Sequence, residues 1–414
     1  MLRLFKWLGG LYREVRENRL NRGIMRYFDW WMLLIIVLIT VMGLLSIISA
    51  NTDSLTSDIV SVRELLVTQD THYAMLQLLW FGAGLVAMAF ILSIDYDMYG
   101  RLANLLYMAN IVMLVVVLFM EAGRGNMTAF FKWGANADRT IQPSEFGKAV
   151  MIVAMAKAYS VRTTRIQTIF DALPLFLYVL IPTVLVFLQP DFGTAVVYLV
   201  IFAVLTFVSG TNWKLILGVV IVGVVGVSLL LFVTYNSGSD SYRLTRIMIW
   251  LQPENYPDEA WQVLNAQKAV GVGGVLGKGI ASAGSLASLG FISDDHTDFV
   301  FAVCCEAFGI AGAAIVVVLY MLLLGRLLYW AFKVDDSFGS YIILGTSSMF
   351  LFHIVENIGM VIGLLPVTGI PLPFMSYGGS NMITSMMCIA LALNVIMRWR
   401  YRQHRQMLHK ELKI

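Results

Sequence analysis

Apolar runs of about 20 residues recur down the length of this chain, and each is long enough to cross a bilayer as a helix. Read between polar breaks, they fall near 30–50, 73–94, 102–121, 145–160, 171–188, 192–209, 214–234, 298–328, 339–363 and 380–397. Composition agrees: 59% of the 414 residues are hydrophobic and 13% charged, where a soluble domain carries roughly 25% charged residues. The expected fold is therefore an all-α polytopic membrane protein with about ten spans. Lys148 and Lys157 make the fourth span the least apolar, and the eighth is long enough to tilt or to project beyond the membrane. Cys304, Cys305 and Cys388 lie in apolar segments and make no disulfide framework. The first apolar run is a full span behind a long basic segment with no small-residue cleavage site, which excludes a cleavable signal peptide.

Lys and Arg assign the orientation. Arg3, Lys6, Arg13, Arg16, Arg19, Arg22 and Arg26 precede the first span, and Arg398, Arg400, Arg402, Arg405, Lys410 and Lys413 follow the last. Under the positive-inside rule both ends are cytoplasmic, which requires an even number of spans. The expected organisation is a basic cytoplasmic segment at 1–28, a membrane domain at 29–397 and a basic cytoplasmic tail at 398–414. A large extracytoplasmic loop at 235–297 separates spans seven and eight. The motif-rich segments IQPSEFGK (141–148), LQPDFGT (188–194) and LLPVTGIPLPFMSYGGS (364–380) all fall on the outer side with that loop. Nothing comparable faces the cytoplasm, so ATP-driven work is not expected. The Gly-rich GVGGVLGKGI is not a phosphate-binding P-loop, because its first glycine position is Val272 and Lys278 is followed by Gly279.

The outer face gathers the ionisable groups. Asp294, Asp295, His296 and Asp298 stand directly before the eighth span. Desolvation at that lip would raise the pKa of Asp298 and make it a general base; equally, Asp298 or Thr297 reads as a helix cap. Four such groups within five positions make a solvated turn more often than a metal cage, and the metal assignment stays open. Glu145 and Lys148 lie three apart on one helical face, as a substrate contact or as a self-neutralising ion pair. Asp191 sits in a tight hairpin, where a cap competes with a site role. Arg243, Arg246 and Lys278 bring cations to the outer loop, where Arg grips phosphate in a bidentate manner or else pairs with Glu254, Asp258 and Glu259. The uncharged segment 364–380, with Pro366, Pro371 and Pro373, is no regular helix; its backbone needs burial in protein or a cavity to line. Ser376 in that segment joins the substrate-binding candidates. His353 and Glu356 in the ninth span read as interhelical hydrogen-bonding groups.

QPSEFGK, LQPDFGTA, YRLTRI, WQVLNAQKAVGVGGVLGKGI, HTDFVFAV and NIGMVIGLLPVTGIPLPFMSYGGS stand in order between residues 141 and 381. In these motifs the chain resembles the SEDS family of cell-shape, division and sporulation proteins, with NIGM and GIPLPF nearer its RodA branch than its FtsW branch. The resemblance implies a ten-span fold and a peptidoglycan glycosyltransferase that polymerises lipid II on the outer face of the bacterial cytoplasmic membrane. It implies a class B penicillin-binding protein as transpeptidase partner, with elongation-complex proteins and membrane lipids as further partners and no nucleic acid. It makes Asp298 the catalytic residue, and Glu145, Lys148, Asp191 and Arg246 site residues. Such a site is compatible with a divalent cation, Mg or Mn. The family pattern is broken in KWGANADRTIQPSE, where Arg139 is followed by Thr140 and Trp133 precedes the glycine.

The chemistry of a lipid-linked donor accounts for a single carboxylate. A glycosidase needs a second carboxyl to protonate its leaving alkoxide. Pyrophosphate already leaves well and asks for cations instead, here Arg243, Arg246 and Lys148. Two rivals remain at the level of sequence. A lipid II flippase would distribute polar groups along the crossing and commonly carries internal repeats, of which none is evident. A non-catalytic scaffold for the transpeptidase leaves the outer cations and Asp298 without a role.

Overall fold

The computed structural model describes residues 22–50, 71–122, 131–133, 139–162, 166–189, 191–214, 217–218, 221, 242–280, 282, 284–292 and 294–411. A one-turn helix at Arg22–Met25 leads into six long helices: α1 (Trp30–Ala50), α2 (His72–Ser93), α3 (Tyr96–Ala122), α4 (Pro143–Ser160), α5 (Ile169–Leu188) and α6 (Phe192–Val208). Two helices of the large loop follow, α7 (Tyr242–Leu251) and α8 (Pro257–Val272). The chain closes with α9 (Val300–Lys333), α10 (Ser337–Val361) and α11 (Gly379–Glu411). Before α4, a short hairpin pairs β1 (Phe131–Trp133) antiparallel with β2 (Arg139–Ile141), an addition to the all-α expectation. Nine expected spans thus have a helix. The seventh, at 214–234, lies for the most part outside the described residues, as does most of the 1–28 segment.

Seven described helices are long and apolar enough to cross a membrane. The two other spans fall short for physical reasons. α4 carries Glu145, Lys148 and Lys157, and α6 has only 17 residues. α10 and α11 form the interior, with 72% and 83% of their apolar windows buried against 28% for α2 and α3. α11 packs on α2, α9 on α1 and α10, and α4 on α3 and α10. The outward faces of α2 and α3 carry Met75, Leu78, Phe90, Met108 and Phe119, all exposed, as helices solvated by lipid do.

Two departures from the sequence reading have local causes. α11 does not end at 397 but continues as one helix through the basic tail to Glu411. The tail is held to the bundle: Arg398 Nε donates to Asn394 Oδ1 at 2.8 Å and its Nη1 to Asp95 Oδ2 at 3.2 Å. Arg402 reaches Asp97 Oδ2 at 2.7 Å. α9 is two helices joined at Gly309, whose φ of 66° and ψ of −165° are non-helical. Residues 364–378 form no helix, and Leu372–Ser376 are buried.

Polar contacts collect at the two ends of the bundle. One end holds Asp29 with Arg326 and Trp330, and Asp95 with Arg398 and Arg402. The other holds Asp298, Asp191, Gln142 and Ser376.

Candidate active site

The wall at 364–378 shows how irregular backbone survives beside membrane helices. Several of its carbonyls meet a side chain from another element. Arg246 Nη1 of α7 donates to Val367 O at 3.2 Å, and Asn357 Nδ2 of α10 to Ile370 O at 2.9 Å. Tyr320 Oη of α9 donates to Pro373 O at 2.6 Å, and Gln77 Nε2 of α2 to Ser376 O at 2.8 Å. Unmet carbonyls there would each cost several kcal/mol, on the order of 4 to 8 in a medium without hydrogen bonding. The polar residues scattered through apolar spans are therefore the wall's scaffold.

Asp298 stands one residue before the N-cap position of α9, which is Phe299. Neither side chain caps the helix. The turn is instead closed by backbone: Thr297 N and Phe299 N both donate to Asp294 O, at 3.1 and 3.2 Å, with Asp294 at a φ of 55°. Asn357 Nδ2 also donates to Asp298 O at 2.9 Å, which ties this turn to the wall. The Asp298 carboxylate meets the wall at Gly369, which has a φ of 75°. A Cβ there would lie 3.4 Å from Asp298 Oδ2 and 3.5 Å from Arg246 Nη1. One glycine thus floors the meeting of the carboxylate and the guanidinium. The Asp298 carboxyl is pushed up to about 6, first by burial and then by Asp294, against the opposing pull of Arg246 and His296. Glu356 interacts electrostatically with both Asp298 and Arg246, and its Oε1 accepts from the Thr368 hydroxyl.

Gly369, Ile370 and Pro371 continue from this floor into a cavity of about 150 Å³, lined also by Gln142, Glu145, Lys148, Asp191, Thr194 and residues 378–381. Lys148 Nζ lies 2.6 Å from Glu145 Oε1 and 3.2 Å from His353 Nε2, all three residues being buried. Asp191 is the N-cap of α6: its Oδ1 accepts from Thr194 N at 3.1 Å. Its Oδ2 accepts from Gln142 Nε2 and Ser144 Oγ, both at 2.7 Å. The cap holds the QPSE turn beside the LQPDFGT turn.

The sequence candidates therefore separate into groups. Asp298 and Arg246 come together over Gly369; Glu145, Lys148 and Asp191 share the cavity that adjoins it. Ser376 is buried, and its Oγ accepts from Leu372 N at 2.8 Å, bracing the wall. Lys278 pairs with Glu306 at 2.8 Å, beside the break in α9. Arg243 lies on α7 one turn before Arg246, and its side chain is outside the described residues, as are those of 131–141. Among the described residues no three His, Cys, Asp or Glu side chains gather to hold a metal ion. Gln142 and Asn357 were not singled out from the sequence. An Asn within an apolar span was the available signal for the second.

This arrangement can be set beside known proteins. Residues 29–401 match the family model FtsW/RodA/SpoVE, described as cell cycle protein. The chain belongs to this family. A probable peptidoglycan glycosyltransferase FtsW of Trichlorobacter lovleyi is 30% identical over 89% of this chain and 93% of that protein. The peptidoglycan glycosyltransferase MrdB of Escherichia coli K12 is 32% identical over 80% of this chain and 85% of that protein. Among solved structures, one from a peptidoglycan synthase complex, concerned with the coordination of polymerization and crosslinking, superposes with a TM-score of 0.71. It is 27% identical and covers 90% of this chain and 98% of that chain.

Proposed function

We propose that this chain is a peptidoglycan glycosyltransferase that polymerises lipid II on the outer face of the cytoplasmic membrane, with Asp298 as its general base. The names of its relatives support the reaction class. The observation that carries the catalytic assignment is the meeting of Asp298 and Arg246 over Gly369. The Asp298 carboxylate takes the proton of the acceptor sugar's 4-hydroxyl as that oxygen attacks the donor's anomeric carbon. The anomeric carbon–oxygen bond to pyrophosphate breaks, and undecaprenyl pyrophosphate leaves with the electron pair. A single displacement inverts the anomeric centre. Arg246 faces the developing charge on the leaving pyrophosphate, with Arg243 one helical turn away and Lys148 in the adjoining cavity. The base needs a pKa below the working pH yet enough basicity to accept a proton, and a carboxyl near 6 meets both.

The exposed apolar faces of the spans suit the polyprenyl chain, and the polar end with Asp298 suits the sugar head. The partner in this reading is a class B penicillin-binding transpeptidase, and the duty is wall elongation, on the strength of NIGM and GIPLPF. Purified wild type and Asp298→Asn, each with the cognate transpeptidase, are supplied with lipid II, and glycan polymer and released undecaprenyl pyrophosphate are measured. The wild type makes both; a folded, partner-binding Asp298→Asn makes neither. Equal polymer from the two proteins removes Asp298 as the base. Head-group translocation by the wild type without polymer moves the reading to a flippase.

A further inference from the structure

His353 is buried within α10, where a histidine has no need to be for packing alone. Its Nδ1 lies 3.2 Å from the carbonyl oxygen of Pro371, on the wall. A carbonyl only accepts, so Nδ1 carries the proton. The neutral ring then leaves Nε2 as an acceptor, and that atom faces Lys148 Nζ at 3.2 Å. The ammonium of Lys148 gives a second proton to Glu145 Oε1 at 2.6 Å. An ammonium has three donors. With two engaged, the third is left for the cavity that Lys148 lines. Glu145 Oε2 is buried and, among the described residues, has no hydrogen-bond partner. Without His353 the ammonium can therefore swing onto both oxygens of Glu145 and withdraw from the cavity.

We propose that His353 is a positioning residue: donating from its Nδ1 to the Pro371 carbonyl and accepting at its Nε2 from Lys148, it holds the Lys148 ammonium off full pairing with Glu145 and aims its remaining proton at an oxygen of the substrate head. This inference rests on the glycosyltransferase reading and concerns how that site grips its substrate. The same strut couples the cavity to the wall, since Pro371 and Gly369 belong to one segment. His353 touches neither substrate nor reacting atoms; its action runs through Lys148.

The test uses full-length protein with its transpeptidase, lipid II as the varied substrate, and three proteins: wild type, His353→Leu and His353→Gln. A glutamine can reproduce both bonds, its N–H toward Pro371 and its oxygen toward Lys148; leucine reproduces neither. The expected result is a KM about tenfold higher for His353→Leu, the fold-change of one charge-assisted hydrogen bond, with kcat within about twofold. His353→Gln keeps the wild-type KM. A wild-type KM in a folded His353→Leu overturns the proposal, as does equal impairment of Leu and Gln variants. Where His353→Leu fails to fold, the Gln variant decides alone, and a tenfold rise in its KM counts against the strut. Nitrogen-15 NMR of histidine-labelled wild type reads the ring directly. The resonance that vanishes in His353→Gln must show a protonated Nδ1 and a bare Nε2; the opposite tautomer overturns the assignment. A wild type that makes no polymer defeats the glycosyltransferase reading instead, and the NMR result still judges the strut.

Discussion

At the residue scale, the carboxylates around the candidate site differ in what they meet. Glu145 has Lys148, Asp191 has an amide and two side-chain donors, and Glu306 has Lys278. Asp298 has Arg246 near it, yet among the described residues its carboxylate accepts no hydrogen bond. Its burial raises the pKa from 3.8 to about 6, so the proton is bound below that pH and lost above it. A general base works only deprotonated. The kcat/KM for polymerisation is therefore expected to rise with pH, through a half-maximum near pH 6, and to level off above it. Well below the half-maximum it should fall about tenfold per pH unit. A profile flat from about pH 5 to 8, across which a raised carboxyl titrates, would rule the base out. Asp298→Asn should lower kcat/KM by about 10² to 10⁴ without altering the melting temperature by more than a few degrees.

At the element scale, the break in α9 explains the glycine-rich stretch of the large loop. Freed backbone groups of the broken helix are met by the loop: Ile310 N donates to Gly274 O at 2.9 Å and Ala311 N to Val275 O at 3.1 Å. In return Lys278 N donates to Glu306 O at 2.9 Å and Gly279 N to Ala307 O at 3.0 Å. A Cβ on Gly273 or Gly277 would collide with the carbonyls of Cys305 or Ala307. The glycines serve close contact between two backbones here. Gly309→Ala combines a collision with Gly277 and Val275 with a φ of 66°, and is expected to cost about 3 kcal/mol. A thermal melt of the detergent-solubilised protein measures it. Lys278→Met leaves Glu306 buried, with only the Leu286 amide on its Oε1 at 2.8 Å. Uncompensated buried charge of this kind costs about 3 kcal/mol. The expected signature is a lower melting temperature with an unchanged KM for lipid II in the folded fraction; a raised KM at full stability would return Lys278 to substrate binding.

At the scale of the whole molecule, the described polar contacts divide between two ends of one bundle, and the proposed function requires that the Asp298 end face outward. Gln252 at the loop end and Gln406 at the tail end are both exposed. The native Cys304, Cys305 and Cys388 are buried and give a quiet background for labelling. In right-side-out membranes a membrane-impermeant maleimide is expected to label Gln252→Cys at once and Gln406→Cys only after permeabilisation. The reverse pattern would place the candidate site in the cytoplasm, where no lipid II polymerisation of the proposed kind could serve the wall.

The apolar runs, the polarity of the segments between them and the family motifs were all legible in the chain, because lipid leaves a helix little choice. A run of about 20 apolar residues must close its own backbone hydrogen bonds, and that constraint is local. Asp298 was legible for the same reason, a carboxylate at the doorstep of a span. Whether it capped the helix was not legible, since the answer depends on Asp294 O taking the amides of Thr297 and Phe299. The break at Gly309 was equally hidden: Gly309 lies in a continuous apolar run, and only the loop 30 or so residues earlier makes a break affordable (roughly one lost pair of hydrogen bonds, recovered across the gap). Glu356 and His353 read as generic interhelical polar groups; their partners, the Thr368 hydroxyl and the Pro371 carbonyl, come from a proline-rich segment that has no period of its own. Local physics determined that this chain lives in a membrane and where its chemistry collects. The tertiary structure decided which of the described ionisable groups meet partners there, because desolvation and pairing belong to the neighbours a residue meets and not to its place in the sequence.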